Sequence, residues 1–305
     1  MQMETRPNKQ AEKERAEEQR ARERHEEQEK LQRESAPKVT DAKAPEVGTS
    51  FSAKEIHKHV VDEGEDEMER PAAELAWSAI AAGMAISFSY LAVAFITPFF
   101  EPRAHEAAAG IAYPLGFMLV VSANYQLFTE NTLEPVVPVL HHRTRESVNK
   151  LLRLWAIVLP TNLLGALIFA LVLAHTPAVS PDLRHSLGEV AAAATNGTAP
   201  MVFYKAIWAG WLVALMAWLM ASTQDTTAKL ILIWLTTAPI AALGFKHSIA
   251  GATEAFYRAT TGASTWSDVI FRFEIPAILG NIVGGIVLVA LVNHGQAGRG
   301  TSKDT

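Results

Sequence analysis

From position 71 onward the chain alternates long apolar runs with short polar connections, the runs falling at about 74–99, 107–140, 150–175, 200–222, 228–262 and 275–294. Each is close to, or longer than, the roughly 20 residues that carry a helix across about 30 Å of hydrocarbon, so the pattern predicts six membrane spans. The second and fifth runs are too long for one straight span. Each contains a polar interruption, Leu127-Phe128-Thr129-Glu130-Asn131 in one and Gly244-Phe245-Lys246-His247-Ser248 in the other. Breaking a helix at bilayer depth frees backbone groups that lipid cannot satisfy, so such breaks persist only inside protein or along a polar cavity. Paired breaks carrying polar and ionisable residues are the mark of a transporter or channel built from an internal repeat.

The repeat is visible in the residues. Asn162-Leu163-Leu164-Gly165-Ala166 in the third run matches Asn281-Ile282-Val283-Gly284-Gly285 in the sixth, at offsets of 33 residues from Thr129 and 34 from His247. Three spans thus repeat as three spans, and an odd number turns the second half over, giving two inverted three-helix repeats with broken second and fifth helices. The small residues after each Asn let helix backbones approach closely.

Before position 71 the pattern is reversed. The first 70 residues carry 14 basic and 19 acidic side chains, so the whole formal charge of −5 belongs to them and the remainder is neutral. Net charge therefore says nothing about a substrate. Residues 1–50 read as a charged tail, disordered or fraying. Ion pairs such as Glu18–Arg22 and Glu26–Lys30, each contributing about 0.2–0.5 kcal/mol, would support a solvated helix within it, but no apolar seam for a coiled coil exists. Residues 51–70 predict a short amphipathic helix with an acidic linker. Ser52-Ala53-Lys54-Glu55 fits a capping box, Phe51 is placed to staple onto Ile56, and the helix belongs on the cytoplasmic membrane surface. The channel domain then covers 71–295, and 296–305 form a C-terminal tail.

The connection His141–Lys150 is the most basic in the membrane domain, which makes it cytoplasmic and puts both termini on that side. The connection from Thr176 to Pro200 then faces outward, and Asn196-Gly197-Thr198 within it is a chance match to a glycosylation acceptor. A charged start without an apolar core is not a signal peptide, which suits a bacterial inner membrane. The absence of cysteine excludes disulfides, thiolate metal sites and cysteine nucleophiles. His141 and His142 lack a metal-ligand spacing, and there is no nucleophile elbow or phosphate loop, so neither an enzyme nor a cofactor is expected. The one dense charge run is mixed and net acidic, which argues against nucleic acid as a partner.

Half-helices restarting after Asn131 and after His247 aim positive ends at the midplane, where Lys246 and His247 add to the field, and that field favours an anion. Histidine exchanges a proton near neutral pH, so an anion of a weak acid can be protonated beside His247 and cross apolar constrictions in neutral form.

The two breaks, taken with Ile275-Pro276-Ala277-Ile278-Leu279-Gly280-Asn281-Ile282-Val283-Gly284-Gly285 and in that order, resemble the formate/nitrite transporter family over about Phe51 to Asn293. The resemblance implies an aquaporin-like, all-α protomer of six transmembrane helices, assembled in the bilayer as a homopentamer with a pore for small monovalent anions in each protomer. It implies that His247 is the central pore histidine and Thr129 the loop threonine facing it. Tyr113, Phe117, Phe128 and Ile240 fall where the family places apolar constrictions; ordinary packing is an equal reading for Tyr113 and Ile240. Two positions depart from the family: Lys246 stands where better-known members carry an acid, and Gly210 where they carry Asn. Lys246 either pairs with Glu130 across the pseudo-twofold, since an unpaired buried charge costs several kcal/mol, about 3–5 when a partner is removed, or stays unpaired and attracts the anion. The resulting expectation is a channel or transporter for formate or nitrite with proton exchange at His247. The alternative is a protein of the same fold acting on another solute, or regulating through a partner bound by the tail.

Overall fold

The computed structural model describes residues 51–290 and Val292. The charged tail and the chain end, with the expectations placed on them, lie outside the described residues. Every regular element among the described residues is a helix. Helix α1 (Ala53–Glu69) starts at the capping box: the Glu55 backbone N–H donates to Ser52 Oγ (3.3 Å) and the Ser52 N–H to Glu55 Oε2 (2.7 Å). Phe51 lies edge-on to His59, ring centroids 4.9 Å apart. The helix buries Val60, Val61, Gly64 and Met68. Gly64 meets the Glu134 carbonyl so closely that a Cβ would collide with it. Glu65 contacts His142 Nε2 (2.6 Å) and Glu69 accepts from Lys150 (3.3 Å), so α1 lies across the ends of the helices that carry those residues.

Among the described residues, four helices are long and apolar enough to cross a bilayer. The first, Ala72–Phe99, joins α2 (Ala72–Ile86) to α3 (Phe88–Ile96) through Ser87, whose hydroxyl donates to the Gly83 carbonyl (2.7 Å). The second, Pro102–Ser122, contains α4 (His105–Ala112) and α5 (Pro114–Ser122). The others are α7 (Arg145–His175) and α9 (Ala199–Met220). The two remaining expected spans differ from the sequence pattern. The run at 228–262 is shared between α10 (Thr226–Ala242), only 17 residues long, and α11 (Ser248–Thr260), with the break between them. The last run starts earlier than its apolar content suggests, because α12 (Ile275–Gly285) is preceded by a π-turn, Asp268–Glu274, and followed by another, Ile286–Ala290. Short α6 (Val136–His142) follows the first break, and α8 (Pro181–Ala194) lies in the connection between α7 and α9. Trp77, Phe95, Phe99, Tyr204 and Phe271 are largely exposed, as suits a surface that faces hydrocarbon rather than water.

Two helix crossings organise the bundle, α2 on α7 and α9 on α12, and both are built alike. A Cβ on Gly83 would strike the Asn162 carbonyl, and one on Gly165 the Ile80 carbonyl; one on Gly210 would strike the Asn281 carbonyl, and one on Gly284 the Ile207 carbonyl. Backbones in contact need glycine on both helices. Gly210 is therefore a close-approach residue, and a side chain the size of Asn has no room in this crossing.

Gly210→Ala is expected to lower stability by about 1–3 kcal/mol, the usual cost of overpacking. Gly188→Ala, with open space around the added methyl, leaves it unchanged; circular-dichroism melts in detergent compare the two. A second expectation concerns α1. Burial, reinforced by Glu63, pushes the Glu67 carboxyl up from its ordinary 4.5 to about 7, against a hydrogen bond from Gln126 (2.7 Å) and the charge of Arg70. The folded protein then holds this proton more tightly than the unfolded chain, so its stabilisation is complete below about pH 4.5 and is lost as pH rises through about 7. Glu67→Gln keeps the bond from Gln126 without the charge. It should raise the melting temperature by a few degrees above neutrality and leave it unaltered in acid.

Candidate functional site

Both breaks close their helices in the same way. Helix α5 ends with Asn124 in the left-handed region (φ 54°), the Asn124 N–H reaching Val121 O and the Tyr125 N–H reaching Val120 O (3.1 Å). Helix α10 ends with Gly244 at φ 63°, its N–H reaching Ala241 O, while the Phe245 N–H reaches Ile240 O (2.8 Å). This is the paired bonding of a Schellman motif, which Asn and Gly serve because they tolerate positive φ. The non-helical segments that follow are each held by one asparagine. Asn162 Nδ2 donates to Ala79 O (2.7 Å) and Gln126 O (2.9 Å), and its Oδ1 accepts from the Phe128 N–H (2.8 Å). Asn281 Nδ2 donates to Ala206 O (2.8 Å) and Lys246 O (3.0 Å), and its Oδ1 accepts from the Ser248 N–H (2.8 Å). The register is thus Gln126 with Lys246, Leu127 with His247 and Phe128 with Ser248. The equivalence of Thr129 with His247 suggested by the sequence offsets is two residues out.

That register explains how one histidine comes to face one threonine. His247 caps α11: the Ala250 N–H donates to its Nδ1 (3.1 Å), and its Nε2 is 2.9 Å from Thr129 Oγ1. A ring nitrogen accepting from a backbone N–H carries no hydrogen, so the neutral ring has its hydrogen on Nε2 and donates it to the threonine. Both side chains are buried. Phe117 packs edge-on against the imidazole (centroids 5.1 Å, interplanar 78°), Tyr113 against Phe117 (5.4 Å), and Phe128 against Trp155 (5.6 Å). Ile240 is buried in the same apolar cluster. Asn131 does not reach the histidine: its side chain donates to Gln126 Oε1 (3.2 Å) and its carbonyl accepts from the Trp155 indole (3.0 Å).

Two cavities lie on either side of this contact. One, about 240 Å³, is lined by Tyr113, Lys246, His247 and Glu254. The other, about 390 Å³, is lined by Glu63, Glu67, Val121, Glu130, Glu134 and Lys229. Tyr113 and Val121 stand eight residues apart along one span, roughly 12 Å at helical rise, and Phe117 between them rests on His247. Lys246 and Glu130 therefore open into different cavities, which overturns their expected pairing. Lys246 Nζ donates to the Ala194 carbonyl, and its opposite charge is Glu254. Glu130 has Glu63 and Glu67 as its charged neighbours instead.

Sequence reasoning missed Glu254 and Glu134. Glu254 stands seven residues after His247, two helical turns on the same face, and Glu134 four after Glu130; both were within reach of a helical-face argument. His142 is at the protein surface against Glu65, away from both cavities. Among the described residues no three His, Asp or Glu side chains stand together in a way that could hold a metal.

A family model described as Formate/nitrite transporter matches residues 54–295. Inner membrane protein YfdC of Escherichia coli (strain K12) is 36% identical over 242 residues, covering 79% of this chain and 77% of the relative. A probable formate transporter of Methanothermobacter thermautotrophicus is 31% identical over 197 residues, covering 59% and 71%. Among solved structures, an FNT family ion channel superposes with a TM-score of 0.68 at 22% identity, over 79% of this chain and 98% of the other, a likeness of fold. A pentameric formate channel with formate bound gives 0.60 at 26% identity, over 72% and 95%. The all-α, multi-span membrane fold and the match along nearly the whole described region together establish that this chain belongs to the formate/nitrite transporter family.

Proposed function

We propose that the protein passes small monovalent anions of the formate or nitrite type across the membrane, between the two cavities and past the contact of Thr129 with His247. The observation that carries this reading is the buried Thr129–His247 hydrogen bond, walled by Phe117 and Phe128, at the only point where the elements of both breaks meet a cavity-lining histidine among the described residues. The path is that of a six-helix protomer of two inverted repeats, a topology supported by the matching Schellman ends and asparagine clamps. A homopentamer is the assembly adopted, on the likeness to a structure described as a pentameric formate channel. Residues 71–295 form the channel domain, residues 51–70 the surface helix and its linker, and residues 1–50 and 296–305 cytoplasmic tails. The bacterial inner membrane is the location, as for the relative described as an inner membrane protein.

Lys246 and the amino end of α11 place positive charge beside His247, at the inner end of the smaller cavity, where it draws the anion in. At the constriction the anion takes the place of Thr129 as acceptor of the His247 Nε2 hydrogen. A charged solute is costly between Phe117, Phe128 and Ile240, so passage proceeds with the proton shared, and the solute crosses as the neutral acid. A net proton transfer at His247 needs a second proton-bearing group in reach, because Nδ1 is occupied by the Ala250 N–H.

His247→Phe removes the donor and keeps a ring of similar size. Formate uptake into proteoliposomes is expected to fall about a hundredfold near neutral pH, within the range for loss of a group that holds or donates the shared proton, while the oligomer runs unchanged on size exclusion. Wild-type uptake and pH profile in this variant would rule the role out.

A further inference from the structure

The smaller cavity contains a second ionisable system that the family reading does not use. Glu254 lines it two turns beyond His247 and is only 7% exposed. Its charged and titratable neighbours come from several elements: Lys246 from the break, the Tyr90 hydroxyl from α3, Tyr113 from the junction of α4 and α5, and Glu274 from the π-turn before α12. His105, Glu106 and Glu189 line the same cavity further from the histidine. Tyr90 is engaged elsewhere, donating to the Leu187 carbonyl (2.6 Å). Glu274 is 5% exposed, and neither of its carboxyl oxygens has a hydrogen-bond partner.

The charge balance of this group is informative. Two largely buried carboxyls, Glu254 and Glu274, neighbour one another; Lys246 is the charge opposite Glu254, Lys205 lies near Lys246, and a buried carboxylate without a counter-charge is costly. One lysine neutralises one carboxylate, so the cluster is balanced when one of the two acids carries a proton. Glu274 is enclosed; Glu254 faces the space where the anion arrives. His247 is poorly suited to be the proton source. Its Nδ1 already accepts a backbone hydrogen bond, and losing the Nε2 hydrogen would leave an imidazolate.

We propose that Glu254 delivers the net proton to the anion in this cavity, while Lys246 holds the anion and His247 acts as hydrogen-bond donor at the constriction. The O–H bond of the Glu254 carboxylic acid breaks and an O–H bond forms on an oxygen of the weak-acid anion. The electron pair stays on Glu254, whose carboxylate is then balanced by Lys246. The neutral acid enters the constriction, and Glu254 is reloaded by a proton from water at the outer mouth of the cavity. No electron changes hands. The proposal rests on the anion-passing reading above and names the residue that completes it.

The test is uptake of radiolabelled formate by proteoliposomes holding the full chain, as wild type, Glu254→Gln, Glu254→Asp and His247→Phe. Glu254→Gln should lose about tenfold or more of its rate near pH 7, the lower range for a general acid being larger still. The loss should shrink as pH falls to about 4, near the ordinary pKa of a carboxylic acid, where a substantial share of the solute is already neutral in solution. Glu254→Asp should recover much of the rate with a displaced pH profile. A Glu254→Gln protein with the wild-type profile, or with an equal loss at every pH, overturns the proposal. Infrared difference spectra of wild type with and without formate provide a check that needs no glutamine variant. A buried carboxylic-acid band should change on addition of formate and shift in Glu254→Asp; no such change overturns the assignment. Flux that is lost in His247→Phe and unaltered in Glu254→Gln leaves the anion path standing without this residue. Absence of formate and nitrite flux in the wild type overturns the path itself.

Discussion

The inability of hydrocarbon to satisfy a backbone amide is the constraint on which this structure turns. Each break exposes peptide groups at bilayer depth, and each is rescued by one asparagine that supplies two donors and an acceptor to three separate backbone sites. The reach of an asparagine side chain is short, so the helix carrying it must be in backbone contact with its neighbour. That requirement explains the glycines opposite Asn162 and Asn281. Break, clamp and crossing are therefore one unit, present twice.

Upon this shared frame the two halves place different chemistry. The clamp registers Leu127 with His247, so only the second break offers an imidazole. The first contributes a hydroxyl from two positions further along, turned toward the same point. The capping of α11 by His247 ties the site to the fold in another way, because the nitrogen that holds the half-helix in place is also the one that protonation would claim.

Much of this was legible in the residues. Polar side chains inside apolar runs marked the breaks, the Asn-x-x-Gly recurrence marked the crossings, and His247 and Thr129, expected to face each other, lie 2.9 Å apart. Other features were not, for identifiable reasons. The left-handed ends at Asn124 and Gly244 were present as Schellman signals, and aligning on them rather than on distance to the asparagines brings the two halves into register. The π-turn before α12 contains Asp268, Arg272 and Glu274, so apolar content alone starts the last span too late. The pairing of Lys246 with Glu130 assumed that residues on opposite breaks share a chamber. In the fold, Lys246 lines one cavity and Glu130 the other, and Lys246 meets an acid on its own following helix. Following the face of α11 beyond the break would have found Glu254.

The two cavities differ in how their charges are arranged. The one beside the constriction sets Lys246 and the amino end of α11 against Glu106, Glu189 and Glu254, whereas the one beneath α1 is walled by Glu63, Asp66, Glu67, Glu130 and Glu134, with Arg70 and Lys229 as its cations. Along the proposed path a solute bearing negative charge climbs a different potential from each end. A frame whose break, clamp and crossing recur in both halves thus carries an uneven electrostatic profile, so an anion arriving from either end meets different surroundings.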